Sequence, residues 1–72
     1  MTVKEALQAI SDHAGEKALN YAVNYARYGL GIDDAHELKV QCLYVLGNMA
    51  AWRGDLAKEV RATLKEYTKK VR

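Results

Sequence analysis

Small size and a single cysteine set strict limits on how this chain can be stabilised. The 72 residues include one cysteine, so no disulfide can form within the chain. A domain of this length buries only about 60% of the surface that its unfolded chain exposes, and apolar burial nearly cancels the loss of conformational entropy. We therefore expect closely packed helices, and self-association is the simplest way to enlarge the core.

The composition is that of a folded domain. Half of the residues are apolar and 28% are charged, which is a globular rather than a disordered balance. No apolar run approaches the about 18–20 residues of a membrane helix, which argues against a membrane protein. Met1 leads directly into Thr2-Val3-Lys4-Glu5, without the basic and then apolar pattern of a secretory signal. We expect one helical domain over residues 1–72 and a cytoplasmic location.

Capping signals and apolar spacing predict the first two helices. Thr2 and Glu5 have capping-box spacing. Apolar residues then recur at i, i+3, i+4 and i+7, which predicts a helix over about 3–13. A second helix is predicted over about 16–29, with an aliphatic face along one side, and the glycines that follow suit a C-terminal cap.

The second half of the chain predicts two more helices. Helix three is expected over about 34–53, with Asp34 as its N-cap, and helix four over about 55–71 with a narrow apolar stripe. The segment 42–52 is apolar almost all round, which is typical of a buried helix. A buried strand over 40–46 is the alternative, because that run is partly β-branched. The sequence thus predicts an all-α, compact bundle of four helices with helix three central.

Three tyrosines provide the clearest functional signal. Tyr21, Tyr25 and Tyr28 recur at i, i+4 and i+7, on the side of helix two opposite its aliphatic face. Tyrosine has an apolar ring and a polar tip, which suits an interface that is partly wet. We predict a small non-catalytic interaction or adaptor protein that forms a homodimer through these tyrosines and Trp52. The alternative is that another helix of the same chain covers the tyrosines.

Positive charge is concentrated in the last helix. Residues 1–54 carry five basic and six acidic side chains, whereas 55–72 carry six basic and three acidic ones. The alternative function is therefore a small nucleic-acid-associated regulator that contacts phosphate. Its candidate residues are Lys58, Arg61, Lys65, Lys69 and Lys70. The simpler interpretation is a solvated helix face whose basic last turn complements the helix dipole.

Catalytic and metal-binding patterns are weak. Asp33, Asp34, His36 and Glu37 lie close together in the chain, but the acidic residues are explained by helix capping. Cys42 lies in the most apolar segment, where a thiol behaves as a small hydrophobe. We expect no enzyme activity, no cofactor and no metal. An active site shared between subunits around His36 and the two aspartates is the third possibility.

One segment resembles a known family. The run Leu46-Gly47-Asn48-Met49-Ala50-Ala51-Trp52-Arg53-Gly54-Asp55 is similar to the centre of a tetratricopeptide-repeat hairpin, with a Leu-Gly pair followed by a Gly-Asp turn. The resemblance covers about residues 43–67, and Glu59 stands where the family has a small alanine. It implies a second helix that begins near Leu56, and protein or peptide binding rather than catalysis.

Overall fold

A computed structural model describes residues 1–71 and shows an all-α, four-helix bundle. The helices are α1 (Val3–Asp12), α2 (Ala22–Leu30), α3 (Ala35–Gly47) and α4 (Asp55–Lys70). A short 3-10 turn, Lys17–Leu19, precedes α2. The described residues contain no strand, so the strand alternative for 40–46 is wrong and the helical prediction is confirmed.

The predicted N-terminal caps of α1 and α3 are confirmed. The Glu5 amide donates to Thr2 Oγ1 at 3.1 Å, and the Thr2 amide donates to Glu5 Oε1 at 2.7 Å. The hydrogen bond from the Thr2 backbone also holds the pKa of the Glu5 carboxyl below its usual range. Asp34 accepts from the Glu37 amide at 2.9 Å. In each cap, a side-chain oxygen accepts from the backbone N–H three residues later. Because this spacing is short and fixed, the cap can be recognised in the sequence.

Helix two is shorter than predicted at its start. It begins at Ala22 rather than near Glu16, because residues 13–20 form successive tight turns. The Leu19 amide donates to Glu16 O, and the Asn20 amide donates to Lys17 O. These i→i+3 bonds replace the α-helical pattern and leave Leu19 with no exposed surface.

Helix three ends earlier than predicted, at Gly47 rather than near residue 53. The Asn48 side-chain amide donates to Tyr44 O at 2.8 Å, and the Asn48 backbone amide turns to Val45 O. The side chain thus takes the carbonyl that a continuing α-helix would have used. The irregular segment that follows returns Met49 and Trp52 to the core.

The four helices form a ring around one core. Helix α2 packs against α1 and α3, and α4 packs against the same two helices. Helix α3 therefore has two neighbours, like the others, and its outer side is open. This corrects the expectation of an enclosed, central helix three: Leu43 and Tyr44 are 49% and 50% exposed. The fully buried core side chains include Leu7, Ile10, Leu19, Val45, Met49, Val60 and Leu64.

The single chain already covers its core. Its accessible surface is 4575 Å², close to the about 4,500 Å² expected for a folded monomer of this mass. Self-association is therefore not required to complete the fold. Within residues 1–71, no helix has the length and apolar character needed to cross a membrane.

Candidate interaction surface

Tyr25 and Tyr28 lie on α2 next to α3, and Tyr21 immediately precedes the helix. Tyr21 is 73% exposed, Tyr25 38% and Tyr28 65%. The rings of Tyr25 and Tyr44 lie with their centroids 5.2 Å apart and tilted by 39°. Helix α3 thus covers part of Tyr25 and leaves Tyr21 and Tyr28 open. The aliphatic residues Ala22, Val23 and Ala26 are buried on the other side of α2.

Helix α3 contributes apolar side chains that sequence analysis placed in the core. Val40, Leu43 and Tyr44 lie at i, i+3 and i+4, so they share one side of the helix. Val40 is half-buried, whereas Leu43 and Tyr44 are exposed. They lie one or two positions from the buried Cys42, so helical spacing turns them away from its side of the helix. This spacing could have identified them as lying outside the core. We call the combined surface the tyrosine face. It comprises Tyr21, Tyr25, Tyr28, Val40, Leu43 and Tyr44.

The structure corrects the placement of Trp52. Its side chain is only 7% exposed and belongs to the hydrophobic core, so it offers little surface to a partner. Its ring lies 5.5 Å from that of His13 between centroids, at 47°. Its position, seven residues after the buried Val45 and three after the buried Met49, repeats the spacing of the buried residues of α3.

A cavity of about 180 Å³ lies beside the tyrosine face, between the C-terminal end of α2 and the first turns of α3. Its lining residues are Tyr28, Ile32, His36, Glu37, Val40 and Gln41. Tyr28 and Val40 belong to both the cavity and the tyrosine face. Gln41 Oε1 is buried and has no hydrogen-bond partner among the described residues. A depression with partly apolar walls therefore adjoins the tyrosine face.

The five cations proposed for phosphate contact do not form one free surface. Arg61 is half-buried, and its guanidinium donates to Trp52 O at 2.9 Å and to Met49 O at 3.4 Å. It therefore supports the segment between α3 and α4. Lys70 lies 3.3 Å from Glu66 in an exposed ion pair. The remaining three are exposed and share one side of α4. They are Lys58, Lys65 and Lys69.

Of the acidic residues near His36, Asp34 serves the start of α3. Asp34 caps the helix, as described above, and its neighbours are exposed. Across residues 1–71, no three histidine, cysteine or acidic side chains lie close enough together to hold a metal ion. Cys42 is fully buried, and burial raises the pKa of its thiol to about 11. The thiol is therefore protonated near neutral pH and is a poor nucleophile.

Comparison of the chain with protein-family models, with curated proteins and with solved structures finds no match. The candidate surface is consequently defined by its own geometry and chemistry.

Proposed function

We propose that this protein is a small non-catalytic interaction module that forms a homodimer through the tyrosine face. The observation that carries the proposal is the exposure of Tyr21 and Tyr28, at 73% and 65%, together with that of Leu43 and Tyr44 on the neighbouring helix α3. Contiguous exposed apolar side chains on a small protein are typical of a contact surface. Aromatic residues are enriched at interfaces because they bury a large area with few rotatable bonds.

A second copy of the chain is a suitable partner for this surface. The formal net charge is only +2 at pH 7, so two copies repel each other weakly. Because the monomer already has the surface area of a folded protein, we expect folded subunits that associate reversibly. Burial of the rings would drive the association, and the phenol hydroxyls would provide a polar rim.

Two further expectations belong to this proposal. The resemblance of residues 43–67 to a tetratricopeptide-repeat hairpin is a prediction, and it favours the same functional class, protein binding. We place the protein in the cytoplasm, where a chain with a single cysteine and no internal disulfide is typical.

Replacement of Tyr25 tests the proposal. Tyr25→Ala removes the ring at the middle of the tyrosine face, so it should shift the solution mass toward the monomer while helicity is retained. The measurement is light scattering or sedimentation over a concentration series, with circular dichroism on the same samples. Lys65→Ala is the control, because Lys65 is exposed on α4. A wild-type chain that is monomeric at every concentration would contradict the proposal, as would an unchanged dimer in the Tyr25→Ala variant.

The alternative function is nucleic-acid binding through α4, and the exposed side of α4 that bears Lys58, Lys65 and Lys69 favours it. Salt separates the two functions. Phosphate contacts weaken steeply as counterions are added, whereas apolar association does not. A dimer mass that persists at high salt supports the tyrosine face. Salt-sensitive binding of a DNA or RNA duplex by a monomer supports the alternative.

A further inference from the structure

We infer that an open cavity between the end of α3 and the start of α4 binds the dianion of a phosphate monoester. The cavity has a volume of about 200 Å³ and is lined by the segment after α3 and the first two turns of α4. It shares no lining residue with the tyrosine face, so the inference goes beyond the proposed homodimer and does not depend on it.

The first step is the charge of the cavity. Three of its lining side chains are cationic, and among residues 1–71 no acidic side chain joins them. The one ion pair that these residues form joins Lys70 to Glu66, so the three lining cations have no acidic partner. Asp55 and Glu59 are close in sequence, but both are exposed and lie outside the lining. A concave site lined by charges of one sign concentrates ions of the opposite sign. The lining residues are Ala50, Trp52, Arg53, Gly54, Lys58 and Arg61.

The second step is the fixed position of Arg61. The residue is half-buried, and its Nη2 atom donates both to Trp52 O at 2.9 Å and to Met49 O at 3.4 Å. A guanidinium also donates through Nε and Nη1, which these two bonds do not use. Because the side chain is already held, it loses little conformational freedom when a ligand binds. Arg61 therefore provides a pre-positioned cation at the cavity, and the exposed Arg53 and Lys58 complete the site.

The third step is the match of charge and size. A phosphate monoester carries about −1.5 to −2 charges at pH 7 and presents several strong acceptor oxygens. A carboxylate or a phosphodiester carries a single negative charge, so a site with three cations favours the monoester. Arginine also binds phosphate oxygens in a bidentate manner. The volume of about 200 Å³ is sufficient, since a cavity of about 150 Å³ holds benzene and a phosphate group is smaller.

Titration with inorganic phosphate tests the site. The backbone amide resonances of the chain are followed by nuclear magnetic resonance while sodium phosphate replaces sodium chloride at constant ionic strength. We expect saturable shifts centred on residues 50–61, with a dissociation constant of about 1 mM or below. Trp52 is the one tryptophan and lines the cavity, so its fluorescence should follow the same curve. Shifts that do not saturate by about 20 mM phosphate, or that centre elsewhere, would overturn the inference.

Single charge removals test the residues. Arg53→Gln and Lys58→Gln each delete one lining cation at an exposed position, and each should raise the dissociation constant for phosphate about tenfold. Lys69→Gln is the matched control, because it deletes the same charge from an exposed residue of α4 outside the cavity. It should change the constant less than about twofold, since distant charges are screened by salt. Circular dichroism checks that helicity is retained. Equal losses in all three variants would show that net charge alone attracts phosphate, and the cavity assignment would be wrong.

Two further ligands test the chemical class. Methyl phosphate should bind as inorganic phosphate does, whereas dimethyl phosphate, a diester with one charge, should bind at least about tenfold more weakly. Equal binding of the two esters would overturn the preference for a monoester. A DNA duplex that binds while inorganic phosphate does not would also overturn the inference, and it would favour the nucleic-acid alternative. The oligomeric state does not affect these outcomes, because every lining residue belongs to one chain.

Discussion

Two cationic side chains bind backbone carbonyls far from them in the sequence. Lys4 Nζ donates to Gly29 O at 2.9 Å, to Leu30 O at 3.0 Å and to Ile32 O at 2.6 Å. It therefore caps the C-terminal end of α2 from α1. Arg61 does the same for the segment after α3, through Met49 O and Trp52 O. A positive charge at such carbonyls also complements the helix dipole in the case of Lys4.

The cap made by Lys4 should be a major contribution to stability. Lys4→Met keeps much of the aliphatic stem and removes the charged donor, which leaves three carbonyls without this partner. We expect the free energy of unfolding to fall by about 1.5–3 kcal/mol, because hydrogen bonds to a charged group are stronger than neutral ones. Urea unfolding measures the change. Lys17→Met, at an exposed position, is the matched control and should lie within about 0.5 kcal/mol of wild type.

Two helical glycines differ in how closely other helices approach them. A Cβ at Gly29 of α2 would lie 3.0 Å from Leu7 Cδ1, and Leu7 has no exposed surface. Glycine therefore permits the close approach of α1 and α2. A Cβ at Gly47, the last residue of α3, would meet no atom within 4 Å. The absence of a side chain is thus needed at Gly29 and not at Gly47.

The two glycine-to-alanine variants should change stability in opposite directions. Gly47→Ala should stabilise the protein by about 0.5–1 kcal/mol, because alanine loses less conformational entropy in a helix. Gly29→Ala should destabilise it by about 1 kcal/mol, since overpacking against a fully buried leucine outweighs that gain. Thermal or urea unfolding of the pair provides the measurement. A stabilised Gly29→Ala variant would show that α1 and α2 separate easily.

The ring of four helices encloses the hydrophobic core within one chain. Each helix buries one side against two neighbours, and the accessible surface is normal for a monomer of this mass. The exposed tyrosine face, and not a deficient core, is therefore what favours the proposed self-association. This differs from the expectation based on chain length alone, which treated a partner as a source of missing core.

The closed core should also limit stability at high pH. Burial raises the pKa of the Cys42 thiol from 9.0 to about 11, although the charge of Lys4 partly opposes the shift. Folding therefore favours the neutral thiol. The stabilising effect is complete below pH 9 and is lost as the pH rises toward 11. Burial raises the pKa of Tyr67 as well, with the same sign.

Alkaline unfolding of wild type and Cys42→Ala checks this effect. Cys42→Ala is less stable near neutral pH because it leaves a small cavity, but the difference between the two proteins should shrink above pH 9. A difference that stays constant to pH 11 would show that the thiolate is tolerated in the folded state.

Features that depend on neighbours three or four residues apart were predictable. The capping box of Thr2 and Glu5, the cap at Asp34 and the helical class of the chain follow from local hydrogen bonds and apolar spacing. The tyrosine stripe was predicted as a pattern for the same reason. The two wrong helix boundaries lie where other local hydrogen bonds replace the α-helical ones. These bonds are made in the 3-10 turn before α2 and by the Asn48 side chain after α3.

The sequence by itself determined the helical class, the helix starts that have side-chain caps and the periodic placement of Tyr21, Tyr25 and Tyr28, because each depends on contacts within one or two turns of chain. Only the tertiary structure decided which apolar residues remain exposed, with Trp52 inside and Leu43 and Tyr44 outside. It also decided the carbonyl caps and the cavity between α2 and α3. These features join segments that are distant in the chain, and their formation depends on how the helices pack around the core.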